Sequence, residues 1–104
     1  MVLGVIKWDI HPDKVDAYAK WTGGAIQRCL SVPGVVEFRA YRGIAGAQQV
    51  MTTWEFADLA SWAAWRESDL VQQVLDEVHT VGVSVVIEVW GPSPVVPVPI
   101  RPGG

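Results

Sequence analysis

The stretch from Val50 to Gln72 constrains the fold more than any other part of the chain. Val50, Thr52, Trp54 and Phe56 recur at every second position, the spacing of a strand with one buried face. Asp58 then offers a side-chain acceptor to the first turn of a short helix that runs through Arg66 and carries Trp62 and Trp65 one turn apart. Ser68 or Asp69 caps another helix reaching about His79, and Gly82 ends it. One strand feeding two short capped helices predicts a mixed α+β layer rather than a bundle or a sandwich.

The flanking sequence completes the pattern. Residues 2–10 read as a strand that stops at His11-Pro12-Asp13, and a helix is expected from about Lys14 to Ser31. Its apolar stripe runs through Val15, Tyr18, Ala19, Thr22, Ile26, Cys29 and Leu30, while Gly23 and Gly24 mark a bend, a break or a close backbone approach. Val32-Pro33-Gly34 turns into a strand from Val35 to Arg42; strands from Gln48 to Phe56 and from Val83 to Trp90 follow. The order β-α-β-β-α-α-β is the ferredoxin-like split βαβ arrangement with a four-stranded antiparallel sheet. Residues 1–91 form this domain, and 92–104 form a proline-rich extended arm lying along the same subunit or a partner.

Alternation along the strands sorts them into two faces. One collects Ile6, Trp8, Ile10, Val36, Phe38, Ala40, Val50, Thr52, Trp54, Phe56, Val83, Val85, Ile87 and Val89, and must lie under the helices. The other mixes Lys7, Glu37, Arg39, Glu55 and Glu88 with Val5, Val35, Met51, Val86 and Trp90. Packing two such faces across a two-fold axis buries the hydrophobes and gives Lys7 and Arg39 acidic partners, which predicts a homodimer closing an α/β barrel. Half the residues are hydrophobic, high for a chain of 104 residues, and this agrees with burial between subunits.

In the order and spacing of its elements over residues 2–90, and most specifically from Trp54 to Gln72, the chain resembles the antibiotic biosynthesis monooxygenase family, built on the dimeric α/β barrel. The resemblance implies a pocket between the helices and the sheet, and a range of activities that includes cofactor-independent oxygenation of planar phenols and quinols. It also includes haem degradation, but the asparagine that branch uses falls on Ile6 and its iron-binding histidine on Leu75, so haem is not expected. The His-Pro-x-x-His segment of another branch is replaced by Ser68-Asp69-Leu70-Val71. The pocket expected here has Trp8, Trp54, Trp62 and Trp65 as aromatic walls, with His79 or Tyr18 handling protons.

Composition narrows the partners. The net charge of −3 arises from interspersed acids and bases, which argues against a nucleic-acid track. No apolar run reaches the roughly 18 residues of a membrane span, and no basic leader precedes the first strand, so a cytoplasmic location is expected. One cysteine, Cys29, cannot form an internal disulfide; metal-ligand spacings and phosphate loops are missing, so no metal or cofactor is expected. The reading is a small homodimer that binds a hydrophobic or aromatic molecule, as a cofactor-free monooxygenase. The alternatives are a non-catalytic binding or structural dimer, and an isomerase or cyclase on the same scaffold.

Overall fold

The computed structural model describes residues 1–103; the final residue of the arm, Gly104, lies outside the described residues. Strand β1 spans Val2–Ile10. A single 3-10 turn at Pro12–Lys14, in which His11 Nδ1 accepts from the Asp13 amide, leads into helix α1 at Val15–Ser31. Strands β2, Val35–Arg42, and β3, Val50–Phe56, form a hairpin, followed by α2, Leu59–Glu67, α3, Asp69–Val81, and β4, Gly82–Trp90. The sheet order β2-β3-β1-β4 with antiparallel pairing throughout is the ferredoxin-like topology, and the helices cover one face.

The helix starts follow from their capping residues. Asp58 accepts from the Ser61 amide at 2.8 Å and caps α2, an interaction that holds its carboxyl below the usual carboxylate range. Ser68, not Asp69, caps α3, accepting from the Val71 amide at 3.3 Å. Because Ser68 is also the C-terminal cap of α2, one residue breaks the second helical segment into two. The turn into β2 needs Gly34, whose φ of 121° disfavours any residue with a Cβ. At Gly4 the reason is space: an added Cβ would lie 3.2 Å from the Trp62 indole, so this position lets α2 settle on β1 and β3.

Two bulges correct the sorting of faces by strict alternation. β2 carries one extra residue against β3 between Val35 and Glu37, so Val35 pairs with Phe56 and packs on the core while Val36 is 59% exposed. β4 carries one extra residue against β1 near Ser84, whose φ of 54° lies in the left-handed region. Beyond it Val83 pairs with Asp9 on the open face and is exposed, instead of lying under the helices. Gly23 and Gly24 mark neither a break nor a close approach: α1 is continuous through them, and a Cβ added at either would meet nothing outside the helix backbone within 4 Å.

The inward stripe of α1 is also rotated from the expected one. Tyr18, Trp21, Thr22, Ala25, Ile26 and Cys29 face inward, whereas Val15, Ala19 and Leu30 are exposed. Lys7 and Arg39 find their acidic partners within the chain. Lys7 Nζ lies 3.2 Å from Glu88 across β1 and β4, and Arg39 pairs with Glu37 two positions along the same strand face. The arm after Trp90 contains no helix or strand among the described residues, and Val95, Val98 and Ile100 are largely exposed. No described helix is long and apolar enough to cross a membrane.

Candidate functional site

A cleft with a cavity volume of about 90 Å³ lies between α1, α3 and the covered face of the sheet. Helix α1 packs chiefly on α3 and touches the β2–β3 side of the sheet little, which leaves the opening on that side, where Ala40 is exposed. The sheet contributes Ile6 and Trp8 from β1, Ala40 from β2, and Val50, Thr52 and Trp54 from β3. The helical wall comes from Tyr18, Trp21, Thr22, Ala25, Ile26 and Cys29 on α1 and from Val74, Leu75 and Val78 on α3.

No lining residue is an acid, a base or a histidine. Burial pushes the Cys29 thiol up to about 11, so it stays neutral near pH 7. Most polar lining atoms are already engaged. Thr22 Oγ1 donates to the Tyr18 carbonyl at 2.7 Å, Trp54 Nε1 donates to Thr52 Oγ1 at 3.0 Å, and Thr52 Oγ1 donates to the Ile6 carbonyl at 3.3 Å. Trp8 Nε1 is buried without a partner, a state that costs about 1–3 kcal/mol. What remains for a ligand is aromatic surface and methyl groups, with the Tyr18 hydroxyl as the one phenol of the lining, which favours an uncharged ligand with little polar surface.

The structure brings together only part of the expected site. Trp8, Tyr18 and Trp54 share the cleft, with Trp8 and Tyr18 edge to face at 6.4 Å between ring centroids. Trp65 does not line it. The residue is 1% exposed, its ring lies tilted against Trp54 and Phe56 with both centroids at 5.1 Å, and its Nε1 donates to the Cys29 carbonyl at 3.0 Å. Trp62 lies over Gly4 at the far end of the sheet, outside the lining, because α2 crosses there. His79 is exposed, since the inward residues of α3 are Val74, Leu75 and Val78, and an imidazole there has no access to the cleft.

Sequence reasoning missed Trp21. It sits three residues after Tyr18 and four before Ala25, the spacing of one helical face, so its place on the wall was readable from periodicity. Its anchor was not. Trp21 Nε1 donates to Glu77 Oε1 at 2.9 Å, and Arg28 grips the same carboxylate through two bonds of 2.8 and 2.6 Å. These bonds hold the Glu77 carboxyl down at about 2, with the Arg28 hydrogen bonds the larger cause and the Trp21 bond next.

A sequence profile of antibiotic biosynthesis monooxygenases matches residues 1–77, which include both walls of the cleft up to α3. The chain belongs to this family. No curated protein matches it at the level of sequence. Solved structures of similar fold include Rv0793 from Mycobacterium tuberculosis, with a TM-score of 0.71 at 15% identity over 88% of this chain and 94% of that one. A dabb family protein with a ferredoxin-like fold from Mesorhizobium loti aligns with a TM-score of 0.77 at 16% identity, covering 88% of this chain and 96% of that one. A dimeric ferredoxin-like protein of unknown function from Thermobifida fusca gives 0.70 at 8% identity, over 86% and 88% of the two chains. At these identities the structural likeness shows the fold. Among antibiotic biosynthesis monooxygenases the chemistry of this member must therefore be argued from its own cleft.

Proposed function

We propose that this antibiotic biosynthesis monooxygenase family member binds a flat, uncharged aromatic molecule in the cleft between α1, α3 and the sheet, and oxygenates it without a cofactor. One observation carries the reading: an open cleft walled by Trp8, Tyr18, Trp21 and Trp54 with no charged side chain in its lining. Such a wall holds a planar ring by dispersion and offers nothing to neutralise a carboxylate or an ammonium.

The reaction that suits these residues is one in which the substrate supplies its own electrons. An acidic CH₂ flanked by aromatic rings loses a proton, and the carbanion reacts with dioxygen; one oxygen atom becomes a carbonyl and the other leaves as water with the two hydrogens of the CH₂. Tyr18 brings the one phenol of the lining and is the proposed proton-handling group. The apolar walls exclude water and orient the ring.

Calorimetric titration with 1-naphthol tests binding. Saturable binding to one site per chain is expected, with none for naphthalene-2-sulfonate, and with loss on Ala40→Trp, which fills the mouth. Equal binding of the sulfonate, or binding that Ala40→Trp leaves intact, would place the ligand elsewhere. Anthrone in air tests the chemistry: anthraquinone formation that falls on Tyr18→Phe supports oxygenation, and binding without turnover supports the non-catalytic reading.

A further inference from the structure

Trp21 differs from the other aromatic walls of the cleft in being tied by a group outside it. Its Nε1 reaches Glu77 on α3, and neither Glu77 nor its ion-pair partner Arg28 lines the cleft. Bridging α1 to α3 requires only Arg28 and Glu77, which already form a two-bond fork. The additional bond from Trp21 does something the bridge does not need: it fixes an indole on the cavity wall and turns its N–H away from the apolar space.

We propose that Glu77 is a positioning residue for the cleft, setting affinity for aromatic ligands by holding Trp21 in its wall position. The proposal rests on the reading that the cleft takes a neutral aromatic molecule. An unheld indole on the cleft wall samples several rotamers, and binding must then order it; a carboxylate that orders it beforehand removes that cost from the binding step. It also gives the indole N–H a partner outside the cleft, so that the face of Trp21 left toward the ligand is apolar.

The test is calorimetric titration of 1-naphthol into the full chain and four variants. Glu77→Gln keeps an acceptor for Trp21 and is expected to bind within about twofold of the parent, whereas Glu77→Leu, which removes it, binds about tenfold more weakly, the order of magnitude for immobilising one side chain on binding. Trp21→Phe cuts the same bond and weakens binding to a similar degree, and it carries the test where Glu77→Leu does not fold. In the Trp21→Phe background, Glu77→Leu is expected to change naphthol affinity no further, because the two act through one contact. A parent-like affinity in Glu77→Leu or Trp21→Phe, or a further loss in the double variant, would overturn the proposal while leaving the ligand reading in place. Absence of naphthol binding by the parent chain would instead overturn the ligand reading, and this inference with it.

Discussion

Among the six tryptophans the same side chain does two different jobs, and the neighbouring backbone decides which. Trp54 and Trp65 lie 5.1 Å apart, yet Trp54 faces the cleft and Trp65 stands behind it, saturated by Phe56 and by the Cys29 carbonyl. Trp65→Phe therefore removes buried volume and leaves that carbonyl without its donor. Urea unfolding should show a loss of about 1–3 kcal/mol, with little change in 1-naphthol affinity. A stable variant with impaired binding would put Trp65 on the cleft wall after all. Periodicity placed Trp62 and Trp65 on one helix, but α2 is short and sits over the Gly4 end of the sheet, so neither points to the space that α1 and α3 enclose.

Elements were legible where a local signal exists. Asp58 and Ser68 each begin a helix for reasons contained within a few residues, and both act as their chemistry predicts; Gly82 ends α3 where expected, but in an extended conformation rather than the left-handed one a glycine cap usually takes. The bulges at Val36 and Ser84 were not legible, because each depends on register with a strand tens of residues away. The same holds for the Arg28–Glu77 bridge between α1 and α3, whose partners lie 49 positions apart. This bridge has a pH signature. The folded-state carboxyl sits near 2, below its ordinary 4.5, so the unfolded chain takes up the proton first on acidification. Its contribution is complete above about pH 4.5 and is lost as pH falls toward 2; with Glu77 about two-fifths exposed it amounts to no more than about 1 kcal/mol. Unfolding curves for the parent and Glu77→Gln should differ most at pH 6, and the gap should narrow steadily as pH falls from 4.5 toward 2. A gap of the same size at pH 6 and pH 2 would assign the difference to something other than this titration.

At the scale of the whole molecule, three helices cover one face of the sheet and leave the other without a layer. Val36, Tyr41, Val83 and Trp90 lie exposed around the Lys7–Glu88 and Glu37–Arg39 pairs, and Met51 sits between Lys7 and Tyr41. We infer that a second copy covers this face, with Lys7, Glu37, Arg39, Glu55 and Glu88 in the interface. Sedimentation should give twice the 11.4 kDa chain mass at micromolar concentration. Met51→Glu places a carboxylate beside Lys7, which a folded monomer tolerates and a buried two-fold contact does not, so this variant should sediment as a monomer. A parent chain that sediments at 11.4 kDa would refute the interface.

Fold class, element order and the helix caps were determined by the sequence itself, because alternation, helical spacing and capping are interactions among near neighbours. Which valines face the helices, which tryptophans wall the cleft and which carboxylate holds Trp21 were decided only in the tertiary structure. Each of those depends on where α1, α2 and α3 rest on a bulged sheet, and that placement is set by packing between residues far apart in the chain.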